Sequence, residues 1–120
     1  MKTRSVIFYC THGTYGRDDD AYGAALQVNH AVARGMKVTM VLVEDGVMMG
    51  MKQQNPGKIG LPNNINELQD FLELGGRLVI IKESLKQRGI LPEEIIDGAE
   101  IIPFFDLIGI INQHDISLTF

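Results

Sequence analysis

Among its 120 residues the sequence has no tryptophan, one cysteine and four prolines. A single cysteine, Cys10, excludes an intrachain disulfide framework and a zinc site built from several thiolates. Without tryptophan, and with only three tyrosines, few rings remain to sandwich a flavin. A basic excess is missing too: 11 Lys and Arg face 15 Asp and Glu, a net charge of −4 and a pI near 5.2. Nucleic-acid modules draw most of their affinity from neutralising phosphates, so this balance argues against nucleic acid as a partner. Long hydrophobic runs are also absent. The apolar segment behind the basic Met1-Lys2-Thr3-Arg4 stops at Cys10, too short for a signal-peptide core. No later run approaches the ~18 residues of a membrane span. The expected setting is the cytoplasm, without membrane contact.

What is present is the composition of a globular protein, 45% hydrophobic and 22% charged, enough for a single domain over residues 1–120. Short apolar runs rich in β-branched residues alternate with helix-like stretches. Ser5–Cys10, Lys37–Val43, Arg77–Ile81 and Ala99–Ile102 read as strands buried on both faces, the mark of a parallel sheet between helices. In Asp115–Phe120, Ile116, Leu118 and Phe120 alternate with Ser117 and Thr119, which predicts a half-buried edge strand. A helix capped by Asp19 or Asp20 runs to Arg34 and stops at Gly35. Its polar stripe, Gln27, His30 and Arg34, is narrow, so it is expected to be buried on more than one side. A second helix starts at Asn64, with Glu67 as capping-box partner, and ends at Gly75-Gly76. Short helices are expected at Glu83–Arg88 and Pro92–Asp97. A final helix is expected over Phe104–Gln113, burying Phe104, Phe105, Ile108 and Ile111. Lys52–Asn63 is the longest irregular stretch and the segment expected to be least ordered. The sum is a three-layer α/β/α sandwich with about five mainly parallel strands, a flavodoxin-like architecture with strand one in the sheet interior.

Ligands of open parallel sheets bind beyond the carboxyl ends of the strands. That points to Cys10-Thr11-His12-Gly13-Thr14-Tyr15-Gly16-Arg17, where two glycines, two threonine hydroxyls and a helix start can cradle an anion. The flavodoxin phosphate loop is similar in kind, but Asp18-Asp19-Asp20 follow directly and would repel a phosphate ester. The alternative is an ordinary strand-to-helix turn with an Asp-rich cap. No cofactor is therefore assigned. Cys10 is either a thiol activated by His12, Arg17 or the helix amides, or a small buried hydrophobe. A second candidate opens at the end of the third strand: Lys82, Ser84, Lys86 and Arg88 form a positive first turn suited to an anion, or merely a solvated helix. Glu44-Asp45-Gly46 reads as a strand-end turn more readily than as a set of metal ligands, and no metal site is assigned. His30 and His114 have no ligand-like partner at fixed spacing and are expected to be structural.

These features, taken in order, resemble the DsrE/DsrF-like family of sulfur-relay proteins nearly from end to end. They are Gly13-Thr14-Tyr15-Gly16, Asp45-Gly46-Val47, Pro56-Gly57, Asn64-Ile65-Asn66-Glu67-Leu68, Arg88-Gly89-Ile90, Ile96-Asp97-Gly98-Ala99-Glu100-Ile101 and Leu118-Thr119-Phe120. The resemblance implies a small α/β protein, a trimer or hexamer, that carries sulfur as a cysteine persulfide and meets other sulfur-relay proteins. It places the carrier cysteine just before the Arg-Gly-Ile motif, with a second three residues later in some members. Those positions here are Ile81 and Ser84, neither of which can hold a persulfide. Three readings follow. The first is a relative without standard sulfur transfer that binds a small ligand or a partner, through Thr11, His12, Gly13, Tyr15, Gly16, Gly46, Lys82, Ser84 and Arg88. The second is a sulfur carrier using Cys10, provided that strands one and three are neighbours. The third is a structural subunit of a sulfur-relay hetero-oligomer. The narrow polar stripe of the first helix and the cluster Met48, Met49 and Met51 add a sequence argument for a homo-oligomer.

Overall fold

The computed structural model describes residues 4–12, 20–54 and 64–120. Five strands, β1 (Ser5–Cys10), β2 (Lys37–Leu42), β3 (Arg77–Ile81), β4 (Glu100–Ile102) and β5 (Ile116–Thr119), form one sheet in the order β4-β3-β2-β1-β5. Every pairing is parallel. β1 lies in the interior, as the apolar run Val6-Ile7-Phe8 predicts, and β5 at an edge; of its alternating apolar residues Ile116 and Phe120 are half-buried, but Leu118 is exposed. Most of Lys52–Asn63, residues 55–63, lies outside the described residues, as do residues 13–19 of the turn after β1.

Helices α1 (Asp20–Ala33), α2 (Asn64–Glu73) and α3 (Lys82–Gln87) connect β1 to β4 step by step. Successive right-handed crossovers in one direction put all three on the same face of the sheet. The connection from β4 to β5 runs back across the sheet and carries α4 (Leu107–Asn112) to the opposite face. Two separate cores result. Under α1–α3 lie Phe8, Cys10, Val28, Met40, Leu68, Phe71 and Ile80; under α4 lie Ile7, Val41, Val79, Ile81, Leu107 and Ile110. Consecutive residues of a strand point to opposite faces, so β1, β2 and β3 feed both cores and are apolar along most of their length; Thr39, the buried exception, bonds to His114.

The outer surface of α1 carries Gln27, His30 and Arg34, as the sequence predicts, together with Ala33. Asn29 binds α2: its side-chain amide donates to the Glu67 carbonyl at 3.0 Å and to the Glu67 carboxylate at 3.3 Å. At the end of α2, Gly75 takes φ +93°, and a Cβ at Gly76 would overlap the Phe71 ring. The glycine pair thus ends the helix and makes room for its largest core residue.

Four expectations need correction. β4 lies at a sheet edge with Glu100 exposed and Ile101 and Ile102 half-buried, not buried on both faces as Ala99–Ile102 predicts. Phe104–Asp106 form a 3₁₀ turn after Pro103, and helix starts only at Leu107. The turn is fixed by the Phe104 N–H donating to the Glu83 carboxylate at 2.9 Å. In that register Leu107 and Ile110, three apart, face the sheet. Ile111 is half-buried, while Phe104, Phe105 and Ile108 are exposed, Phe105 by 90%. Next, Pro92–Asp97 shortens to the 3₁₀ turn Pro92–Glu94, because Ile95 pairs with Met51 as an antiparallel bridge. Finally, the methionines do not make a surface cluster. The 3₁₀ turn Glu44–Gly50 lies across the α1–α3 face, burying Met49 fully and packing Met48 and Met51 against that core.

Candidate functional site

In this strand order the direction of winding reverses between β1 and β5, where open sheets leave a ligand crevice. Here the chain fills that place itself. Phe120 N–H donates to the Tyr9 carbonyl at 2.8 Å, and both the amide and the hydroxyl of Thr11 donate to the Phe120 carbonyl, at 2.9 and 2.8 Å. The Phe8 and Phe120 rings stack with centroids 5.7 Å apart. Thr11 is therefore committed to the β1–β5 junction. His12, half-buried, brings Nδ1 to 3.4 Å from the Thr11 hydroxyl. Gly13, Tyr15 and Gly16, the rest of the expected anion cradle, lie outside the described residues, as does Arg17.

The turns after β2 and β3 are clasped together instead. Val43 N–H donates to the Cys10 carbonyl at 3.1 Å, and a Cβ at Gly46 would overlap that same carbonyl oxygen. Gly46 is thus required by a close backbone approach. Glu44 adopts φ +54°, left-handed for a residue with a side chain, and its N–H donates to the Ser84 hydroxyl at 2.9 Å. Arg88 closes the clasp, with Nε donating to the Asp45 carboxylate at 3.0 Å and Nη1 donating to the Ser84 carbonyl at 3.2 Å. Ser84 is buried, Arg88 half-buried, and Lys82 exposed. Ser84 and Arg88 hold the turn together, while Lys82 stands exposed beside them.

Two groups at this end of the sheet escape a reading of motifs. Tyr9 shares the α4 face with Ile81, and burial pushes its phenol above the usual value, with the Glu44 carboxylate pushing it further. The signal was present as a polar-tipped ring among apolar strand residues. Its pairing with Glu44, 35 positions on by residue number, was not. Among the described residues no three of His, Cys, Asp and Glu gather as a metal-binding set.

Cys10 sits in the core under α1–α3, and its sulfur donates weakly to the Phe8 carbonyl at 3.9 Å. Burial pushes its pKa up from 9.0 to about 12, so the thiol is protonated at neutral pH. The condition for a relocated carrier also fails: β2 separates β1 from β3. Cys10 and Ile81 point to opposite faces of the sheet, each fully enclosed.

A sequence model of the DsrE/DsrF-like family matches residues 4–120. An uncharacterized protein of Methanocaldococcus jannaschii is 33% identical over 110 residues, covering 92% of this chain and 94% of its own length. An uncharacterized protein of Methanopyrus kandleri is 33% identical over 101 residues, covering 84% and 81% respectively. The crystal structure of the YchN protein of E. coli superposes with TM-score 0.85 at 22% identity, over 99% of this chain and 100% of that one. A protein of unknown function from Methanobacterium thermoautotrophicum superposes with TM-score 0.75 at 11% identity, over 97% and 98%. The two structures share the fold, and the match of the family model over nearly the whole sequence settles descent: the chain belongs to the DsrE/DsrF-like family.

Proposed function

We propose that this chain is a sulfur-relay relative that works by binding and carries no sulfur on a thiol of its own. Membership of the family relates it to sulfur-relay proteins. The observation that carries the proposal is the seat of its one thiol. Cys10 is buried, protonated and on the face of the sheet opposite Ile81, the position the family resemblance gives to the carrier. A persulfide needs a thiolate nucleophile that can meet its donor. Ile81 offers no nucleophile, and the Ser84 hydroxyl accepts from Glu44 instead. The test is transfer of labelled sulfur from a persulfidated donor protein to the wild type and to Cys10→Ser. We expect no label on either. Label on the wild type that disappears in Cys10→Ser overturns the proposal in favour of a Cys10 carrier.

What it binds, on this reading, is another chain, as a homo-oligomer of trimeric or hexameric size or as a structural subunit beside active sulfur-relay proteins, in the cytoplasm. The support is the apolar surface of Phe104, Phe105 and Ile108, which the α4 register turns away from the sheet. Exposed aromatic and aliphatic clusters of this kind mark protein contacts.

A further inference from the structure

Between α3, the turn that follows it and the edge strand β4 lies a cleft of about 360 Å³. Its walls are Leu85, Ile90, Leu91, Pro92 and Ile101, and Gly89 forms the bend. Leu85 and Ile90 belong to the core beneath, whereas Leu91 stands 60% exposed at the rim. Among the described residues no carboxylate lines the cleft. Three acidic residues of the same segments are engaged elsewhere: Glu83 accepts from Phe104 N–H, Glu94 from Leu91 N–H and Glu100 from the Arg77 guanidinium. Lys82 and Lys86, one helical turn apart on α3, border the same space. Neither lysine has an ion-pair or hydrogen-bond partner among the described residues.

We infer that this cleft binds a small amphiphilic anion, an apolar chain or ring that carries a single carboxylate or sulfonate. The apolar walls take the body of the ligand, and the two ammonium groups fix which end of it is charged. The size lies within the roughly 300–1,000 Å³ of small-molecule sites, and an apolar lining with few polar groups is their usual composition. A docked helix would need apolar anchors over several turns. This cleft runs along a helix of six residues, which favours the small molecule. β2 and β3 lie between β4 and the strand that carries Cys10, so the inference is independent of whether sulfur moves through the chain.

The test is a titration of the full chain with decanoate, below its micellar range, followed by backbone amide NMR. Saturable shifts are expected at residues 82–92 and at Ile101, and none with decylamine. Lys82→Glu with Lys86→Glu removes and reverses the attraction at two exposed positions, and should weaken decanoate by roughly tenfold or more, the equivalent of one charge-assisted hydrogen bond. Leu91→Asp, also exposed, should weaken it through the apolar wall while leaving circular dichroism unchanged. Unsaturable shifts, shifts centred elsewhere, or equal binding of decylamine would overturn the inference. So would a double variant that changes particle size in light scattering while decanoate fails to bind the wild type, since the cleft would then be a contact between copies.

Discussion

The two faces of the sheet are covered very differently. On one, α1, α2, α3 and the turn Glu44–Gly50 lay helix and methionine over the strands from Val6 to Ile80. On the other, α4 alone, six residues long, shields Ile7, Val41, Val79 and Ile81, and its outward side shows Phe105 to solvent. The thick face encloses the thiol, and the thin face shows the more exposed aromatic rings, Phe104 and Phe105. Burial has sealed the one nucleophilic sulfur on one side and left a ring in solvent on the other.

Substitutions of equal chemistry on the two faces put that contrast at risk. Phe71→Ala empties the middle of the thick face, where the ring is fully buried. It should cost about 3–5 kcal/mol in chemical denaturation. Phe105→Ala removes the same ring from the thin face and should stay within about 0.5 kcal/mol, while light scattering reports smaller particles. A large stability loss at Phe105 with unchanged particle size would mean that the thin face belongs to the chain's own core.

A smaller effect separates the faces by pH. The folded chain holds Cys10 neutral, with its pKa raised from 9.0 to about 12. A raised folded value gives stability that is fully present below pH 9 and is lost as pH climbs from there towards 12. The denaturation midpoint of the wild type should therefore fall faster over that window than that of Cys10→Ala. At pH 8, alkylation by iodoacetamide should be far slower for the folded chain than for the unfolded one. Rapid alkylation of the folded chain would contradict the burial.

The smallest effect belongs to the β3–β4 edge, outside both cores. Arg77 holds Glu100 through two contacts, at 2.7 and 3.0 Å, and its hydrogen bond keeps the carboxyl below its usual range. Both side chains are nearly half exposed, so Glu100→Gln should cost less than about 1 kcal/mol. The lowered value makes this contribution present above pH 4.5 and lost as pH falls through the folded pKa. An acid titration of stability, wild type against variant, should show the two curves converging at low pH.

The sequence carried the strands well. Ser5–Cys10 and Arg77–Ile81 coincide with β1 and β3, because a strand buried on both sides reads as a nearly unbroken apolar run, here Val6–Phe8 and Leu78–Ile81. That same uniformity hid the more useful fact. With no alternation, nothing in Ser5–Cys10 says which face Cys10 takes, and only the strand order and crossovers decide it. The register of α4 was illegible for a related reason: Phe104 to Ile111 is apolar nearly all round, so the hydrogen bond from Phe104 to Glu83, 21 residues away, chooses the buried side. Of the candidate site, Lys82–Arg88 was found as a charged strand-end turn. Its actual bonds run from Ser84 to Glu44 and from Arg88 to Asp45, 40 and 43 residues apart, beyond the reach of any local pattern.

The clasp at Ser84 also bears on what a thiol at that position could do. A cysteine placed at position 84 would set a weak sulfur acceptor where a hydroxyl now receives the Glu44 amide at 2.9 Å. Glu44 keeps a left-handed backbone there without being glycine, and a conformation of that kind persists only while its surroundings enforce it. A thiol there would therefore come with a loosened turn, in a buried place that disfavours the thiolate a sulfur carrier needs.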